Sequence, residues 1–243
     1  MSQNISQRDL RCERCGRVAE AKDKFCAECG KFLRDAFVDQ RLLLALQLEQ
    51  EGRSREARYE IERLLENEPE HALAHHLLGT FYFHQGTLDV AIDHYRKAVS
   101  HAKTFILASY DLGVAYFHRG NMPEAIHAFR RCLELDPHYN AAHYRLAVSL
   151  FHAGELEQAL EHFEHAMALT PEYVMAHYHI GIIHERRANY DAAERSFLRS
   201  IEEGAEEVSS LYHLAMVRRA KGDQAGAEEY LRRAREFRKA ATV

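Results

Sequence analysis

Four of the five cysteines in this 243-residue chain stand in two matching motifs, CERCG at Cys12–Cys15 and CAECG at Cys26–Cys29. The spacing is C-x2-C-x10-C-x2-C. Each CxxC can present two thiolates to one side of a tetrahedral ion, and the ten residues between the motifs suffice for a small hairpin that returns the chain to the same ion. Gly16 and Gly30, one after each second cysteine, let backbone amides turn toward the sulfurs. One structural Zn²⁺ held by Cys12, Cys15, Cys26 and Cys29 is therefore expected. A pair of redox dithiols would explain neither the duplication nor the matching glycines, and the CxxCH of a c-type haem site is absent.

The 17 histidines are the other residues with chemical potential. His84, His118 and His152 recur at intervals of 34 residues. Equivalent positions on successive packed helix pairs lie about 10 Å apart, whereas ligand nitrogens must lie about 2.1 Å from an ion, so this ladder is not expected to share a metal. His162 and His165, three apart, could share an ion but lack a third ligand. There is no Ser-His-Asp arrangement, glycine-rich phosphate loop or HExxH. The chain is expected not to be an enzyme.

The elements that position these residues follow from a repeat. Gly52, Gly86, Gly120, Gly154 and Gly222 lie at multiples of 34 residues, with Ala188 at the one missing place. Five residues after each turn stands an alanine: Ala57, Ala91, Ala125, Ala159, Ala193, Ala227. Eight before it stands Leu44, Leu78, Leu112, Leu146, Ile180 or Leu214, followed at once by a small residue. Nine after it stands Ile61, Tyr95, Phe129, Phe163, Phe197 or Leu231. The first set falls on one face of a helix before the turn and the second on one face of a helix after it. Small residues let the two backbones approach, an aromatic fills the space beside them, and the glycine ends the first helix in the left-handed conformation. Pro69, Pro137 and Pro171 stop three of the second helices. Cys132 occupies a small-residue slot and is read as core packing.

This order of leucine, small residue, tyrosine, alanine, aromatic, small residue and proline resembles the tetratricopeptide repeat, and the cysteine block resembles a small zinc ribbon. The resemblance implies an all-α fold: a right-handed superhelical solenoid of six helix pairs preceded by the ribbon. The expected organisation is a disordered tail over 1–9, a ribbon over 10–32 and a repeat domain over 38–243, with repeats 38–71, 72–105, 106–139, 140–173, 174–207 and 208–241. Departures are Ala188 for glycine, Lys103, Ala205 and Lys239 for the closing proline, and no tryptophan. At the Ala188 turn, Asn189 is expected to take the positive φ angle.

In tetratricopeptide-repeat proteins the side of the first helix that carries the next stripe lines a concave surface. Here that stripe implies a peptide-binding groove of Phe83, His84, Tyr110, Phe117, His118, Tyr144, Phe151, His152 and Tyr178, with packing between first helices as the competing use of the same residues. Aromatics offer large contact area at low entropic cost. Toward the C-terminus Arg186 and Arg219 replace them, either as an anionic docking point or as the polar face of terminal repeats. The expected function is a protein-interaction scaffold holding a protein or peptide segment. The alternative is a nucleic-acid-associated protein that uses its ribbon. Against that alternative, the net charge is −5. Residues 1–37 carry 8 Lys or Arg against 6 Asp or Glu, nearly neutral once four thiolates and Zn²⁺ add −2. No apolar run approaches the ~20 residues needed to span a bilayer. No signal-peptide core opens the chain, and a cytoplasmic location is expected.

Overall fold

The computed structural model describes residues 10–11, 18–19, 40–170, 173–205 and 207–240. Among them are twelve α-helices and one pair of two-residue strands. Strands β1 (Leu10–Arg11) and β2 (Val18–Ala19) pair antiparallel, Leu10 opposite Ala19 and Arg11 opposite Val18. The chain divides after Pro137 into two compact units, close to the end of the third repeat.

The first unit contains three helix pairs: α1 (Gln40–Gln50) with α2 (Ser54–Asn67), α3 (Ala72–His84) with α4 (Leu88–His101), and α5 (Ile106–His118) with α6 (Met122–Leu135). The second contains α7 (Asn140–Ala153) with α8 (Leu156–Leu169), α9 (Met175–Arg186) with α10 (Tyr190–Glu202), and α11 (Glu207–Ala220) with α12 (Gln224–Ala240). Each pair is one 34-residue repeat.

The turn between paired helices is the same device each time. At Gly154 φ is +84°; its amide donates to the Phe151 carbonyl at 3.1 Å and the Glu155 amide to the Leu150 carbonyl at 2.9 Å. These bonds satisfy carbonyls that the helix end leaves open. In the fifth repeat Ala188 itself takes φ +57°, while Asn189 sits at φ −82° as the N-cap of α10. The expectation for Asn189 is thus corrected: the position in the turn, two residues past the end of α9, sets the left-handed angle whatever side chain occupies it.

All six post-turn alanines are buried, as are the rings of Tyr95, Phe129, Phe163 and Phe197. The helices of a pair approach so closely that a Cβ on Gly113 would lie 2.7 Å from the Phe129 ring, and one on Gly181 would lie 2.6 Å from that of Phe197. One core expectation fails. Leu44 is 43% exposed, although Leu78, Leu112, Leu146, Ile180 and Leu214 in the same slot are buried. Leu78 shows why: it packs into a cluster with Ile61 and Leu64 of the preceding second helix. No helix precedes α1 among the described residues to do this for Leu44.

Candidate functional site

The first-helix stripe is shared between packing and surface. In the first unit, Phe83, Tyr110 and Phe117 are half-buried, while His84 and His118 are exposed. The Phe83 ring meets His118 of the next first helix edge-on at 5.4 Å, and Tyr110 leans on Phe129 at 5.8 Å. His76 Nε2 lies 2.7 Å from Asp111 Oδ2, linking α3 to α5. A pocket between α1 and α3 is lined by Leu46, Leu77, Thr80, Phe81 and His84, among others. Phe81, with the Arg58 guanidinium 5.3 Å above its ring, had no part in the sequence-derived groove because it does not recur at 34-residue spacing.

In the second unit Tyr144 stacks on Tyr173 at 4.8 Å, and burial pushes its phenol above the usual range. Phe151 is only 8% exposed; it lies against His179 at 5.3 Å and under the Arg186 guanidinium at 4.8 Å. Tyr178 packs on Phe197 and on His213. His152 is exposed. On the first helix of the last repeat, Tyr212 and Met216 are open, at 36% and 55% exposure, because no further first helix follows α11 among the described residues to cover them.

The arginine-rich end is largely engaged within the chain. Arg218 pairs with Glu194 and with Asp223, the latter at 3.1 Å, Arg187 reaches Glu157 at 3.8 Å, and Arg186 covers Phe151. Arg219 is exposed.

The structure brings together histidines that the sequence reading left apart. His75 Nδ1 lies 3.1 Å from His94 Nδ1, and His143 Nδ1 lies 3.0 Å from His162 Nδ1. The available signal was that both members recur after 68 residues, two repeats on. Burial, then the neighbouring His75 and Lys97, lower the His94 pKa to about 4. His165 stacks on His143 at 5.3 Å, so His162 finds its partner across the helix pair rather than in His165. Among the described residues no group of three or more His, Cys, Asp or Glu is arranged to hold an ion. Cys132 is buried, and burial, reinforced by Asp136 and Asp111, pushes its thiol up to about 12; it is an inert core residue. Cys12, Cys15, Cys26 and Cys29, like the expected tail over 1–9, lie outside the described residues, but the β1–β2 pairing brackets Cys12 and Cys15 in sequence. Among the described residues no helix is long and apolar enough to cross a membrane.

The tetratricopeptide-repeat family profile matches residues 42–104, 110–174, 144–205 and 178–241. No curated protein matches the chain. Similar solved structures include MamA (residue 41 to its end) from Desulfovibrio magneticus RS-1, at 21% identity and TM-score 0.66, covering 70% of this chain and 96% of that one. They also include the pilF protein of Pseudomonas aeruginosa, at 19% identity and TM-score 0.65, covering 82% and 90%. A third is YrrB, described as a TPR protein with an unusual peptide-binding site, at 20% identity and TM-score 0.64, covering 72% and 90%. Identities this low speak for the fold alone. Six helix pairs in one 34-residue register, matched over most of their length by the family profile, place this chain in the tetratricopeptide-repeat family.

Proposed function

We propose that the protein is an interaction scaffold that holds a peptide or protein segment against the first helices of its repeats. The observation that carries this reading is the recurrence of aromatic and histidine side chains along those helices, half-buried at the ring and open at the edge. In the first unit the contact residues are Phe83, Tyr110 and Phe117, with His84 and His118 beside them. The pocket at Leu46, Thr80 and Phe81 extends that row with an apolar recess. In the second unit they are Tyr144 and Tyr178, with His152 at the edge, and Phe151, nearly covered by Arg186 and His179, backs the row from beneath. The partial cover of these rings favours binding: a ring fixed by its neighbours loses little entropy when a ligand covers its remaining face. Arg186 and Arg219 act as secondary contacts for an anionic part of the segment. That YrrB is described by its peptide-binding site is consistent with this use of the fold.

We propose further that Cys12, Cys15, Cys26 and Cys29 hold one structural Zn²⁺. Their spacing supports this, as does the strand pair on either side of the first CxxC. The scaffold reading is tested by photo-crosslinking from a benzoylphenylalanine placed at position 118, beside Phe83 and Phe117. Capture of one discrete protein segment, lost when unlabelled partner is added, supports it. Crosslinks to nucleic acid, or none above a control placed at exposed Arg130, overturn it.

A further inference from the structure

Near its start, α1 presents two leucines to solvent: Leu43 is 52% exposed and Leu44 43%. Their slots are covered wherever another repeat comes before. Leu77, Asp111, Arg145, His179 and His213, in the slot of Leu43, are half-buried, and the slot of Leu44 is buried in every later repeat. The second repeat shows what supplies the cover. Leu78 belongs to a cluster with Leu42 and Leu48 of α1 and Ile61 and Leu64 of α2, and Leu77 packs against that cluster.

The same comparison sets the size of the apolar patch. One turn to either side of the leucines the face carries Gln40 and Gln47, both exposed. The equivalents of Gln40 are Ala74, Ala108, Ala142, Ala176 and Ser210, all buried, and Ala115, Ile183 and Val217 are buried in the slot of Gln47. A whole helix pair laid over α1 would press both glutamine amides against apolar surface, which costs free energy unless they find new partners. The face of α1 therefore suits a short apolar cover, about one helical turn or ~5.4 Å long. The terminal helix α12 of a second copy does not fit that description, since its exposed side chains are mostly charged.

Residues 20–39 lie outside the described residues and run directly into Gln40. Their sequence carries Phe32, Leu33, Ala36 and Phe37, at i, i+1, i+4 and i+5, a spacing that gathers apolar side chains on one side of a helical turn. Phe37 precedes Leu43 by six residues, which can span up to about 20 Å. Leu43 lies only about 4.5 Å along α1 from Gln40, and packed elements sit about 8–10 Å apart, so the chain is long enough to return onto its own helix. We propose that residues 31–38 dock on Leu43 and Leu44, with Phe32, Leu33 and Phe37 as the contact residues, so that the chain caps its own first repeat. The cysteine motifs, which end at Cys29, are thereby held beside α1. The docking is carried by apolar contact and does not depend on a metal ion.

The test is photo-crosslinking of the purified full-length chain with benzoylphenylalanine at position 43. Mixing isotope-labelled and unlabelled protein tells contacts within a chain from contacts between copies. Crosslinks should map to residues 31–38 of the same chain. Crosslinks to residues 1–30, crosslinks to a second copy, or none beyond α1 and α2 themselves overturn the proposal. Hydrogen exchange supplies a second readout. In Phe32→Ser/Phe37→Ser the amides of α1 and α2 should exchange at least tenfold faster, while those of α11 and α12 keep wild-type rates. Phe237→Ser, at an exposed ring of α12, should leave α1 unchanged. A Phe32→Ser/Phe37→Ser chain whose α1 exchanges like the wild type also overturns the proposal.

Discussion

Replacing Ala188 by glycine should make the second unit more stable, an unusual direction for an alanine-to-glycine change. Ala188 is exposed, so losing its methyl group removes no buried contact. Its φ of +57° places the Cβ in the left-handed region, which costs a non-glycine residue about 1–2 kcal/mol. Glycine removes that strain but gains freedom in the unfolded chain, which costs about 0.4–1 kcal/mol. The balance is a stabilisation of about 0.5–1 kcal/mol. The hydrogen bonds should persist, since Ala188 and Asn189 donate to Glu185 and His184 at 2.9 Å each, as at the glycine turns. Urea unfolding should show a raised midpoint with an unchanged slope, and amides of α9 and α10 that exchange through local opening should slow roughly two- to fivefold. Ala168→Gly, an exposed change inside α8, is the control. It should cost up to about 1 kcal/mol of helix propensity and so lower the midpoint. If both variants shift the midpoint downward, the strain assigned to Ala188 is not there.

Gly113→Ala should overpack against Phe129 at a cost of about 1–3 kcal/mol, partly offset by about 1 kcal/mol of helix propensity. The faster hydrogen exchange should be confined to α5, α6 and their neighbours, because a repeat contacts only adjacent repeats. Chelation of the purified chain should release one Zn²⁺ per chain and leave most helicity intact, and Cys12→Ser/Cys26→Ser should carry no zinc by elemental analysis. Burial lowers the pKa values of His177 and His184 below the ordinary 6.5. Their neutral forms therefore contribute stability that is fully present above pH 6.5 and declines as pH falls toward the depressed folded values. NMR titration should place both midpoints below 6.5, and urea midpoints should fall in that acidic window.

The helix pairs were legible because a 34-residue period writes the same packing problem six times: a small residue opposite an aromatic, with a left-handed turn between. What the period does not encode is what lies beside each repeat. Leu44 has the residue type of a core position yet is exposed, since burial there depends on the preceding second helix. Phe151 has the type of a groove position yet is nearly covered, by Arg186 and His179 from the next repeat. The His75–His94 and His143–His162 pairs were hidden for a related reason. Their members are 19 residues apart, a separation that meets only when two antiparallel helices close on each other. Turn geometry at Ala188 was half legible: the place of the left-handed residue was set by the register, but the preference of asparagine for that conformation pointed one residue too far along.

The claim that the first-helix row is the binding surface is tested most directly by the dissociation constant of a partner segment for the wild type and for Tyr110→Ala/Phe117→Ala. The segment is identified by affinity capture and mapped by crosslinking, and the variant is first shown to keep wild-type helicity. Aromatic anchors at the centre of an interface contribute about 2 kcal/mol or more, so the double variant should bind roughly thirtyfold more weakly or worse. A folded variant that binds the same segment with unchanged affinity would contradict the account and move the binding surface off these helices.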